Sequence, residues 1–125
     1  MKFTSRDYGI IAAALITAVL HFAAAFDKTL FPAGADPLFI LNGVGYLGIL
    51  GAYVLPITFF QEKHNLVRIG FMGYAALTIA AWIFIWVIQS VIIGGSPFFA
   101  HDSLYGVPAK IAEVVLILLL RADKQ

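Results

Sequence analysis

The chain has no cysteine and very little charge. Without thiols, disulfides, thiolate metal sites and cysteine nucleophiles are all excluded. Only 12% of the 125 residues are charged, and the net charge is +1. A nucleic-acid-binding protein needs a basic face or stripe, and so near-neutral a chain offers none. Also missing are repeats at a fixed period, heptad runs and low-complexity tracts. Of the chemical signatures, HExxH, the nucleophile elbow and the phosphate-cradling glycine loop are absent. No grouping of His, Asp and Glu has the spacing of a metal site. Neither metal nor catalytic residues are therefore assigned, and an enzyme is disfavoured.

What is present is apolar: 62% of the residues are hydrophobic. A soluble domain of this size is nearer half apolar and a quarter charged. The excess implies that much of the apolar surface faces lipid. Residues 1–125 are too few for more than one domain, and the runs Tyr8–Phe26, Leu38–Phe60, Val67–Ile93 and Val107–Leu120 predict four spans. Roughly 20 apolar residues cross about 30 Å of hydrocarbon as a helix. Helix is the form that satisfies its own backbone in lipid. Lys2 and Arg6 before a run ending in Ala23–Ala25 could pass for a signal peptide, but 19 residues exceed a usual signal core, so a retained first span is expected.

Local signals agree. Thr4 and Asp7 have capping-box spacing, Asp36 precedes a first-turn Pro37, and Asn65 is placed to cap the third span. Pro56 should kink or end the second span. Lys2, Arg6, Lys63, Arg68, Arg121 and Lys124 fall on one side of this topology, Lys28 and Lys110 on the other. The preference of Lys and Arg for the cytoplasmic side then predicts an all-α bundle of four antiparallel transmembrane helices, both termini cytoplasmic, in the plasma membrane. Gly45 and Gly48 on the second span and Gly70 and Gly73 on the third are expected to pack helices closely.

Polar residues inside the spans are the candidates for function. Counted from Arg121 at the boundary, Glu113 lies roughly 12 Å and Lys110 roughly 16 Å into the core. His21 and Thr17 come out at roughly 20 Å and roughly 13 Å, counted from Tyr8. Asn42 and Gln89 sit higher, near the outer surface. Intramembrane ionisable residues face the bundle interior, pair or touch water, so His21, Asn42, Gln89, Lys110 and Glu113 are read as one column and a candidate ligand site. With Pro108 opening a short fourth helix, the loop Gly94–Gly106 should dip inward. His101, Asp102 and Tyr105 would then form the mouth of an outward-facing vestibule. The dull alternative for Lys110 and Glu113 is a structural pair, with the lysine snorkelling. No cofactor is predicted; single-histidine ligation of a haem or chlorophyll-type pigment by His21 is the minor alternative.

Four segments carry a resemblance. They are Leu20–Phe22, Leu41–Leu47, Ala81–Trp82 and Lys110–Glu113. In this order the chain resembles a small, functionally uncharacterised four-span membrane family of archaea and bacteria. The resemblance implies a four-span bundle and singles out His21, Lys110 and Glu113. It also implies an acidic residue before the lysine, where this chain has Ala109. No activity comes with it.

Four spans joined by short loops leave no extramembrane domain. The expected function is therefore a non-enzymatic accessory subunit of a membrane complex or a small homo-oligomer. Its partners would be the lipid bilayer and other membrane helices. The alternative is binding or transport of a small lipophilic or anionic ligand, an ion or a proton through the vestibule.

Overall fold

The computed structural model describes residues 2–27, 34, 36–92 and 98–123, with side chains given outside 85–92 and 98–104. Every regular element among them is helical: α1 (Ser5–Ala25), α2 (Pro37–Val54), α3 (Thr58–Glu62), α4 (His64–Ile92) and α5 (Phe98–Ala122).

Caps explain where the helices begin. At α1 the Thr4 hydroxyl accepts from the Asp7 backbone N–H at 3.2 Å, and the Asp7 carboxylate accepts from the Thr4 N–H at 2.7 Å. Two backbone donors with no helical partner are satisfied reciprocally. Asp36 caps α2 by accepting from Leu38 N–H at 2.8 Å, with Pro37 in the first turn. Helix α2 stops at Val54, because Pro56 has no N–H to continue it and forces the preceding residue into extended backbone.

Two boundaries differ from the sequence expectation. Helix α4 starts at His64, and Asn65 holds the Arg68 guanidinium (2.8 Å) instead of serving as the cap. Helix α5 starts at Phe98, so residues 98–106 are helical and Pro108 lies inside the helix. The fourth helix is therefore not truncated: its 25 residues extend roughly 37 Å. The inward-dipping loop expected over Gly94–Gly106 is not formed across 98–106. An interior proline costs about 3 kcal/mol or more in water, but is tolerated where neighbouring helices re-satisfy the freed backbone.

Asp123, just after α5, contacts Arg6 at the start of α1, Tyr53 at the end of α2 and His64 at the start of α4. The four long helices therefore alternate in direction. Their packing order is α2–α1–α5–α4, and α2 meets α4 only loosely. Between the Glu113 level and Asp123 the interior is dry, filled by Ile10, Ala14, Phe71, Leu116 and Leu120, none more than 1% exposed. Outward, each long helix presents large apolar side chains, among them Ile16, Leu41, Leu77 and Ile111. Three helical segments, Ser5–Ala25, Pro37–Val54 and His64–Phe84, are long and apolar enough to cross a membrane.

Candidate functional site

Glu113 is completely buried, and side chains from α1, α2 and α5 converge on it. From α5 itself, the Lys110 ammonium donates to Oε2 at 3.0 Å and to Oε1 at 3.3 Å. The i, i+3 spacing puts both side chains on one face of the helix. From α1, the Thr17 hydroxyl donates to Oε1 at 3.1 Å. His21 stands one turn above Thr17, with Nε2 3.9 Å from the same oxygen. The His21 Nδ1 lies 2.7 Å from the Thr17 carbonyl. A carbonyl only accepts, which puts the ring hydrogen on Nδ1 and turns Nε2 toward the carboxylate.

Helices α2 and α4 complete the cluster. Lys110 also donates to the Thr78 carbonyl at 3.4 Å, and the Thr78 hydroxyl donates to the Ala75 carbonyl at 2.8 Å. The Tyr46 and Thr78 hydroxyls are hydrogen-bonded at 2.7 Å, and Tyr46 also hydrogen-bonds the Glu113 carboxylate. Tyr46 packs edge-on against Tyr74, ring centroids 4.9 Å apart. The Tyr74 hydroxyl in turn donates to the Asn42 side chain at 2.5 Å. No buried side-chain N or O among the described residues lacks a partner. A half-satisfied polar network in an apolar interior is costly, whereas a complete one specifies a single packing.

The structure thus brings together Thr17, His21, Lys110 and Glu113. Asn42 belongs only at one remove, through Tyr74. The side chains of Gln89, His101 and Asp102 lie outside the described ones. Tyr105 donates to the Asp27 carboxylate at 2.5 Å, tying the start of α5 to the end of α1. Between it and the cluster is a cleft lined by His21, Phe39, Trp82, Tyr105, Ala109 and Lys110, of only about 20 Å³. That is room for one water. A small-molecule vestibule is ten times larger or more. This cleft is too small for the expected vestibule, whose mouth residues His101 and Asp102 have side chains outside the described ones. An apolar pocket of about 350 Å³, lined by Trp82, Val107, Lys110, Ile111, Val114 and Val115, opens on the other side of Lys110.

Two members were not among the candidate site residues: Thr78, and Tyr46, a tyrosine that in such a run is expected to pack with its hydroxyl satisfied. A second cluster escaped it entirely. Asp123, 5% exposed, accepts from Arg6 at 3.2 Å and from the Tyr53 hydroxyl. The His64 Nε2 stands 3.5 Å from Oδ2, the oxygen that accepts from Tyr53, with the His64 ring 4.7 Å from that of Tyr53. Glu62 and Lys63 just before it are exposed, whereas His64 is turned into this cluster. Arg68 reaches the same end, donating to the Leu120 carbonyl at 3.1 Å.

Of the four glycines expected to pack helices, one is at a close approach inside the chain. A Cβ on Gly45 would lie 2.2 Å from the Tyr74 hydroxyl oxygen. Gly48, Gly70 and Gly73 meet nothing and line an open apolar groove of about 450 Å³ between α2 and α4.

A family model matches residues 3–121, nearly the whole of this bundle. The chain belongs to DUF7475, a family of unknown function. That match contains the Glu113 network, the Arg6, Tyr53 and His64 that surround Asp123, and every residue of α5 through Arg121. Asp123 falls two positions beyond it. No curated protein and no solved structure matches the chain.

Proposed function

We propose that this DUF7475 protein is a four-span integral membrane protein of the plasma membrane, both termini cytoplasmic, acting as a non-enzymatic packing subunit. Three helices have the length and apolarity for crossing. The fourth, α5, has the length, packs against α1 and α4, and turns its two mid-helix charges into the bundle. Arg6, Lys63, Arg68 and Arg121 gather at the Asp123 end, which supports a cytoplasmic assignment for that end.

One contrast carries the functional reading. The polar cluster satisfies its own hydrogen-bonding groups among the described residues. The glycine-lined groove between α2 and α4 is open. Small residues let helix backbones approach closely in lipid, where packing drives association. A groove that α2 and α4 leave unfilled suits a transmembrane helix of another subunit. Ligand binding or transport is the alternative, and the apolar pocket of about 350 Å³ beside Lys110, rather than the cleft beside His21, has the room it needs. A porphyrin on His21 would require the helices to part.

The test is the particle mass in mild detergent and in nanodiscs, with the stoichiometry of anything that co-purifies. Either self-association or a stoichiometric partner is expected. Gly70→Leu combined with Gly73→Leu, both at positions open inside the chain, should leave the fold intact and abolish the association. A monomer carrying no second subunit overturns the reading.

A further inference from the structure

A second cavity lies at the Asp123 end and belongs to neither the Glu113 network nor the α2–α4 groove. Its volume is about 300 Å³, at the low end of small-ligand sites, which run roughly 300–1,000 Å³. The breaking of α2 before Pro56 creates it: the chain turns into α3, and the N-terminal arm closes the other side. Rings from Phe3, Tyr53, Phe60 and His64 line it. The Tyr53 hydroxyl and the His64 Nε2 are turned to Asp123, so Tyr53 offers the cavity its ring and His64 its ring and Nδ1.

Its charges are balanced. The Lys2 ammonium and the Gln61 amide both line it, and neither has a partner among the described residues. Asp7 lines it as well; its Oδ2 takes both Thr4 hydrogen bonds, which leaves Oδ1 for another donor. One cation and one anion make a poor site for an ion of either sign, since each attracts what the other repels. A molecule carrying both charges satisfies both. Ammonium groups are also drawn to aromatic faces. Around the cavity, Leu55, Ile57 and Phe59 are exposed and apolar, as expected where protein meets the hydrocarbon edge of a bilayer.

We propose that this cavity binds the headgroup of a zwitterionic phospholipid, with the ammonium against Asp7 and the rings and the phosphate against Lys2 and Gln61. The inference rests on the membrane reading above but not on any partner subunit. The protein is reconstituted in nanodiscs of equal phosphatidylethanolamine and phosphatidylglycerol, and retained lipid is counted by native mass spectrometry. One phosphatidylethanolamine per chain is expected, with about tenfold preference over phosphatidylglycerol, equivalent to about 1.4 kcal/mol. Gln61→Trp, which fills the cavity from an exposed helix position, should abolish retention with helical circular dichroism unchanged. Lys2→Ala, on the arm outside the helices, should weaken it without touching the fold. Equal retention of phosphatidylglycerol overturns the proposal, as does retention that survives Gln61→Trp. Displacement of the bound lipid by millimolar soluble phosphoethanolamine overturns the lipid as the source. Release of the protein from membranes by carbonate washing alone would instead sink the membrane reading itself, so the two failures are distinguishable.

Discussion

Thr17 and Glu113 are 96 positions apart, yet the threonine hydroxyl donates to the glutamate at 3.1 Å in a layer fully closed to solvent. This bond joins the first and last helices at Glu113, the one fully buried acidic or basic side chain among the described residues. Removing one partner of a buried pair leaves the other unpaired and costs about 3–5 kcal/mol. Replacing both with apolar groups of similar volume is often neutral.

Glu113→Ala should therefore destabilise the bundle by about 3–5 kcal/mol, because Lys110 keeps its charge and loses its acceptor. The double variant Lys110→Met, Glu113→Leu should recover most of that loss. Thermal unfolding in detergent, followed by circular dichroism, distinguishes the two outcomes. A double variant as unstable as the single one would mean that the pair does more than compensate itself.

Much of this layer was legible because a charge inside an apolar run contradicts its surroundings. His21, Lys110 and Glu113 stood out for that reason, and depth counting put Thr17 close to the level of Glu113. Tyr46 and Thr78 did not stand out, since a hydroxyl in an apolar helix breaks no pattern. Asp123 and His64 were hidden by the opposite effect: near helix ends, charged residues are expected to be solvated. The start of α5 was misread because Gly94-Gly95-Ser96-Pro97 and Pro108 are breakers by the rules of water. In a tightly packed bundle the second proline breaks nothing. Boundaries set by caps, at Thr4 and Asp36, were readable because the signal is wholly local.

Gly45 and Gly48 look interchangeable in sequence, and the structure separates them. A Cβ at Gly45 would strike the Tyr74 hydroxyl, which is pinned by Asn42 at 2.5 Å, whereas Gly48 faces open space. Gly45→Ala should cost about 1–3 kcal/mol, the usual range for overpacking. Gly48→Ala should leave the unfolding temperature of the isolated chain unchanged. Adding Tyr74→Phe to Gly45→Ala should restore part of the loss by removing the clashing oxygen.

Asp123 clamps one end of the bundle by holding Arg6, Tyr53 and His64 from three other helices. Asp123→Ala strips all three contacts, leaving the buried Tyr53 hydroxyl without an acceptor. That group alone should cost about 1–3 kcal/mol. The Arg6 pair is half-exposed on the arginine side and adds little. Arg6→Ala should consequently be far milder than Asp123→Ala. Hydrogen exchange at the first turns of α1 and α4 should accelerate in Asp123→Ala while the Glu113 layer stays protected. Uniform acceleration through the bundle would show that the two clusters unfold as one unit.

The absence of cysteine makes direction directly testable, because any introduced thiol is the only one. Six of the eight Lys and Arg residues fall on the side proposed as cytoplasmic. Lys63→Cys lies at the junction of α3 and α4, on an exposed position of that side. Lys28→Cys comes from the segment joining α1 to α2. In intact cells an impermeant maleimide should label Lys28→Cys and leave Lys63→Cys untouched until the membrane is permeabilised. Both substitutions remove a positive charge, and losing Lys28 strengthens the bias while losing Lys63 weakens it only from six to five. The assay therefore does not create the orientation it reads. Labelling of Lys63→Cys in intact cells, with Lys28→Cys protected, would invert the topology.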